Sequence, residues 1–325
     1  MMFLTRCHDK KCSISWRLLA PLFLFITVFA GPALTASAAA EKQKGFSSPD
    51  EAVQAMVRAL TSNNKKEVSA IFGKEGKGLP SSGDPVADRA DIERFVQAFN
   101  ESHTIRMRSP EVAVLFVGSR DFPFPIPLVK EGDVWVFDTK AGLEEIINRR
   151  IGRNELGTIE VLRAYVDAQR EYYGMKLGRD GGQEYARKLF SAGGKHDGLY
   201  WEVKGDEKES PLGPLVASAA HEGYAGKGKK PIPFHGYYYR ILKAQGSHAG
   251  GGAKEYIVNG KMTEGFAMVA HPAGYGSSGI MTFIVNQDGT VYEKDLGKHT
   301  DRIVKGMKLF DPDGTWKPVQ EASRN

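Results

Sequence analysis

Between residues 48 and 101 the apolar positions recur every three or four residues, with Val53, Met56, Val57 and Leu60 on one stripe and Ile92, Phe95, Val96 and Phe99 on another. That spacing predicts helices. Ser48-Pro49-Asp50-Glu51 supplies a capping serine, a proline suited to the first helical position and a glutamate able to close a capping box. Lys65 to Phe72 reads as a second helical piece and Asp88 to Glu101 as a third, with the glycine- and proline-bearing stretch 73–85 as a loop between them.

From Thr104 the rhythm shortens to β-prone runs, Thr104 to Arg108, Val112 to Val117, Ile126 to Val129 and Val134 to Asp138, and the turn Lys130-Glu131-Gly132-Asp133 makes the last two a hairpin. Asn154 to Gly174 is the clearest helix in the chain, with a wide apolar face. Ile159, Leu162, Val166, Gln169 and Tyr173 lie on one line and Val161, Tyr165, Ala168 and Tyr172 on the next, while Arg163 and Asp167 are spaced to pair on the wet side. Short helices are expected at Gln183 to Phe190 and Pro214 to Ala220. Strands follow at Tyr237 to Ala244, Glu255 to Val258, Gly265 to Ala270, Met281 to Asn286 and Val291 to Asp295. Gln287-Asp288-Gly289 predicts that the last two are antiparallel neighbours. The order of elements predicts an α+β protein of two units, 46–150 and 151–320.

The layout of the first unit, helices followed by a curved antiparallel sheet, resembles the cone-shaped nuclear-transport-factor-2-like fold. The body of the chain resembles the bacterial domain of unknown function (DUF) 2950 family through the run from Asp121 to Leu128, the run from Arg149 to Glu155, and the block from Gly236 to Gly297. That family brings no activity with it. A narrower likeness joins Asn154-Glu155, Leu162, Ala168-Gln169, Tyr172-Tyr173, Tyr185-Ala186 and the Gly236 to Tyr292 strands to the helix and sheet of type IV pilin and pseudopilin heads. The greasy assembly helix of pilins is not joined to this helix, so the resemblance implies a head without the polymerising part.

The N-terminus changes the picture of where the protein works. Arg6, Lys10, Lys11 and Arg17 precede the greasy run Leu18 to Ala30, which is followed by small residues at Ala36, Ala38 and Ala40. This is the order of a removable secretory signal spanning residues 1–40, and the run is short of the roughly 20 apolar residues that span a bilayer. Both cysteines, Cys7 and Cys12, fall in the leader, so the exported body is expected to carry no disulfide and no thiolate. Without the leader, 40 basic residues stand against 38 acidic ones, a balance that gives no reason to expect nucleic acid as a partner.

No fragment completes a catalytic or metal-binding motif. Gly276-Ser277-Ser278-Gly279 lacks the spacing of a nucleophile elbow and reads as a turn between strands. His221-Glu222 has Ala225 where a zinc helix needs its second histidine. Ser62 and Lys65 fit the S-x-x-K spacing but stand where one helix ends and another begins. Gly250-Gly251-Gly252-Ala253-Lys254 lacks the Lys-Ser/Thr ending of a phosphate loop, and Asp311-Pro312-Asp313-Gly314 has too few oxygens for calcium. The histidines outside the leader show no ligand-like spacing, and alternation along the strand places Tyr238 opposite Tyr237 and Tyr239. The expectation is therefore an exported envelope protein, periplasmic or secreted, with no catalytic residue, metal or cofactor and acting on a protein partner. The alternative is a small-ligand binder or hydrolase using a pocket in the first unit.

Overall fold

The computed structural model describes residues 43–320 apart from 80, 179–180, 204, 206, 223 and 225–231; the predicted leader and its cleavage residues Ala36, Ala38 and Ala40 lie outside the described residues. The chain is α+β. Three helices open it: α1 (Pro49–Thr61), α2 (Lys65–Phe72) and α3 (Pro85–Glu101). Ser48 caps α1 as expected, but the Glu51 carboxylate reaches one residue further back, accepting from the Ser47 backbone N–H at 2.9 Å and its hydroxyl at 2.6 Å. Asn64 caps α2, and Ser62 closes α1 by donating to the Arg58 carbonyl.

The strands β1 (His103–Ser109), β2 (Val112–Val117), β3 (Phe122–Pro123), β4 (Leu128–Glu131) and β5 (Val134–Phe137) form an antiparallel sheet ordered β1-β2-β4-β5, with β3 also on β2. Alternation points Ala113, Leu115 and Val117 of β2 towards the helices, where they join Val53, Met56, Ile71, Phe72, Phe99 and Phe137 in one apolar cluster. Phe95 and Phe124 pack beside them as a tilted ring pair with centroids 5.3 Å apart, so the space between α3 and the sheet is filled by side chains.

The long helix α4 (Thr139–Gly174) begins well before the predicted Asn154. Asp138 caps it, and Ile146 packs on the first cluster, whereas the predicted face from Ile159 to Tyr172 packs on a second. Its apolar stripe changes neighbours midway, near Gly152 and Gly157, which is why a single periodic pattern showed only the second half. Gly142 is needed for the close approach of this helix to the preceding chain: a Cβ there would stand 2.5 Å from the Pro125 carbonyl oxygen. On the wet side Asp167 pairs with Arg170 at 3.6 Å rather than with Arg163.

After α4 come the expected short helix α5 (Gly213–His221) and the strands β6 (Tyr237–Leu242), β7 (Ala244–Gln245), β8 (Lys254–Glu255), β9 (Ile257–Val258), β10 (Lys261–Met262), β11 (Ala267–Pro272), β12 (Met281–Asn286) and β13 (Tyr292–Asp295). The described residues close with helix α6 (Thr300–Gly306) and strands β14 (Leu309–Phe310) and β15 (Lys317–Pro318). A second five-stranded sheet runs β15-β13-β12-β11-β6, antiparallel throughout, with the predicted β12–β13 hairpin in place. Leu162, Tyr165, Val166 and Tyr172 of α4 share its apolar cluster with Phe266, Val269, Phe283 and Val285.

The helix expected over Gln183 to Phe190 does not form. Instead the buried Gln169 side chain of α4 takes both backbone groups of Ala186, donating to its carbonyl at 2.8 Å and accepting from its N–H at 2.9 Å. A tertiary side chain satisfies the backbone that a helix would otherwise have satisfied locally.

Candidate functional site

Among the described residues, a group of polar side chains including the buried Asp84, Asn154, Thr158 and Ser278 lies where the start of α3, the middle of α4, the turn before β6 and the β11–β12 loop meet. Asp84 is the N-cap of α3, followed by Pro85 at the first helical position, and its carboxylate is fully buried. Its Oδ1 accepts from the Val86 and Ala87 N–H groups at 3.1 Å each. Its Oδ2 accepts from the Tyr224 hydroxyl at 2.8 Å and the Gly236 N–H at 2.9 Å. One carboxylate thus joins the first helices to the chain entering β6. Burial, and then the facing Asp84 carboxylate, push the Tyr224 phenol well above its ordinary value, so it stays a donor.

Further along, α4 reaches the β11–β12 loop: Asn154 donates to the Ser278 carbonyl at 2.8 Å, and Glu155 Oε1 accepts from the N–H groups of Ile280 and Met281 at 2.9 Å each. The Tyr237 hydroxyl lies 2.9 Å from the Met281 carbonyl and 3.4 Å from Glu155, and its phenol is raised by burial and by that carboxylate. Tyr239 sits one alternation along, reaching the Phe234 carbonyl at 3.2 Å and Thr158 at 3.3 Å. The neighbouring arginines of α4 do similar work, Arg150 donating to the Leu79 carbonyl at 2.7 Å and Arg153 gripping Asp91 of α3 at 2.7 and 2.8 Å.

Chemically this is a brace. Two carboxylates meet the backbone donors of the seam, the buried Gly236 N–H and the part-buried ones of Val86, Ala87, Ile280 and Met281; a fully buried donor left unmade would cost about 1–3 kcal/mol. A general base must have a lone pair open to the proton it removes. Asp84 already accepts four hydrogen bonds and Glu155 Oε1 holds two backbone N–H groups.

The fragments singled out in the sequence are also absorbed by turns and termini. Ser277 and Ser278 both donate to the Gly274 carbonyl in the β11–β12 loop. The Gly250 and Gly252 carbonyls accept from Gln245 at 2.7 Å each, closing the β7–β8 hairpin. Asp311 accepts from the His248 N–H at 2.8 Å, Asp313 caps Thr315, and His221 ends α5. Tyr238 stands beside His271, the two ring centroids 5.7 Å apart. Among the described residues no group of three or more His, Cys, Asp or Glu converges as metal ligands, and no helix is long and apolar enough to cross a membrane.

The described residues form recesses at two places of note. One of about 250 Å³ is lined by Tyr172, Tyr185, Glu184, Arg187, Lys195 and Asp197, where Tyr172 is pushed up to about 12 by burial and by Glu184 and Asp197. The other, about 310 Å³, is a groove between α1 and α2 where Lys44 pairs with Glu67 beside Arg58, Ser62 and Asn64.

Asp84, Tyr224 and Asn154 were not singled out for this seam by motif reading. The signal available was local: an Asp-Pro step placed to cap a helix.

His271, on β11, is half-buried, with Asp301 and Lys305 of α6 and Arg240 of β6 around it. Burial holds its imidazole below the ordinary value, and the Arg240 and Lys305 cations add to this against the raising effect of Asp301. The folded state therefore prefers the neutral ring. Its contribution is unchanged above the unfolded value of about 6.5 and turns against folding as pH falls through that value towards the folded one. The thermal midpoint is expected to drop on moving from about pH 7.5 to about pH 5.5, and to drop less in His271→Gln, as read by circular dichroism at both pH values.

Fold and seam together define an α+β protein in which the buried Asp84 and Asn154 side chains brace backbone groups far apart in the chain. The chain belongs to the family described as protein of unknown function (DUF2950), whose model matches residues 43–319. No curated protein and no solved structure matches it.

Proposed function

We propose that this is an exported protein of the bacterial cell envelope that acts by binding another protein rather than by turning over a substrate. The observation that carries this is the occupation of Asp84 and Glu155: the buried Asp84 carboxylate and Oε1 of the half-buried Glu155, which both face tyrosine hydroxyls, accept from backbone N–H groups. Export rests on the charged, greasy and small-residue order of residues 1–40. The proposal includes two units, a cone-like 46–150 and a pilin-head-like 151–320. In its favour, apolar side chains gather in two clusters, and the second half of α4 lies against an antiparallel sheet as a pilin-type helix would. The interior of the first unit is occupied by Phe72, Phe95, Phe99 and Phe137, which weighs against a ligand pocket there.

Crosslinking in the intact envelope, followed by mass spectrometry, is expected to trap one reproducible protein partner and to show a mature chain starting near Ala40. A purified protein that stays alone and converts an envelope substrate would overturn the binding role. A native chain still starting at Met1 and pelleting with membranes would overturn export.

A further inference from the structure

Open sheet edges offer unpaired backbone groups to any extended chain, so the way a protein closes each edge shows which one it leaves for use. In the first sheet, β5 is closed by Phe46, whose N–H and carbonyl both bond Trp135, at 2.9 and 2.8 Å. In the second five-stranded sheet, β15 has two residues and ends in Pro318, while β6 is buried or half-buried along its length and its Arg240 is tied to the Val304 and Met307 carbonyls. Of the edges of these two five-stranded sheets, β1 is the long one left open: it has seven residues and pairs only with β2, and all but Ile105 are exposed, Met107 at 53%, whereas the edges of the two smaller sheets are two residues long.

The chemistry of β1 is one-sided. His103, Arg106 and Arg108 lie in it, and no carboxylate does. Arg106 already holds one carboxylate, that of Asp121, while its guanidinium lies 4.4 Å over the Phe116 ring. Arg108 has no carboxylate partner among the described residues and stands at the bulge between Met107 and Ser109. A second copy fits this edge poorly, because antiparallel self-pairing would set the arginines of one strand against those of the other.

We propose that β1 is the docking edge for an extended acidic segment of another protein, which adds a strand to the sheet with carboxylates near Arg106 and Arg108 and an apolar residue beside Met107. Main-chain hydrogen bonds supply affinity and the arginines supply selection. This rests on the protein-binding role proposed above.

The test uses the exported protein purified from expressing cells and two labelled peptides, one alternating Glu and Val, the other Lys and Val. Fluorescence anisotropy is expected to show at least tenfold tighter binding of the Glu/Val peptide. Arg108→Glu, an exposed change, is expected to remove that preference, and amide exchange over 103–109 is expected to slow on binding. Equal affinities, protection elsewhere in the chain, or a β1-linked dimer in sedimentation would overturn the assignment. An envelope partner crosslinked away from β1 would sink the edge proposal and leave the binding role standing; no partner and no peptide binding would sink both.

Discussion

Asp84→Ala is expected to lower the stability of the fold by about 4 kcal/mol. Loss of a helix N-cap costs about 1 kcal/mol, and each buried donor left unmade adds about 1–3 kcal/mol. The change strands the Gly236 N–H and the Tyr224 hydroxyl together with the first turn of α3. Tyr224→Phe removes only one of those partners and is expected to cost about 1 kcal/mol. Urea denaturation of the two variants beside the parent measures both. The comparison also bears on function, because a carboxylate held ready for catalysis sits in an environment that opposes it, and its removal tends to stabilise. A gain in midpoint for Asp84→Ala would mark the seam as a working site and remove the main support for a binding protein.

Much of the architecture was legible because it is written locally. The Ser48-Pro49 cap, the stripes of α1 to α3, and the Gln287-Asp288-Gly289 turn between β12 and β13 depend on residues a few positions apart, and periodicity reads that range well. The first half of α4 was not legible, since Ile146 there packs on a different cluster from the face spanning residues 159–172. The irregular course of 183–190 was hidden for another reason, as its backbone partner is Gln169 on a distant helix turn. The seam was the least accessible part. Asp84 and Gly236 are 152 positions apart, and Asn154 and Ser278 are 124 apart; no local pattern encodes such a pair. Three runs that carried the family resemblance turn out to hold bracing residues: Arg150, Arg153 and Glu155 in one, Tyr237, Tyr239 and Arg240 in another, and Pro125 and Ile126, against which Gly142 packs, in the third. What the likeness recognised was therefore the frame, which explains why it identified a family and no activity.

Two glycine substitutions should move stability in opposite directions. Gly236 has φ near +73°, and a Cβ there would press on the Asn154 amide and stand 3.1 Å from the Ser278 Cβ. Alanine would meet the left-handed backbone penalty of about 1–2 kcal/mol. It would also displace Asn154 from the Ser278 carbonyl and disturb the N–H held by Asp84, so the expected loss is about 3 kcal/mol. Gly152 lies within α4, and a Cβ added there would have open space, with no neighbouring atom within 4 Å. There alanine removes the flexibility of glycine in a helix and is expected to gain up to about 1 kcal/mol. Thermal denaturation of Gly236→Ala and Gly152→Ala reads both signs directly. Because Gly236 and Asp84 share a hydrogen bond, the double variant with Asp84→Ala is expected to lose less than the two single losses combined, by about 1 kcal/mol or more. Strict additivity would mean that the turn before β6 and the cap of α3 are held independently, and that the seam does not act as one brace.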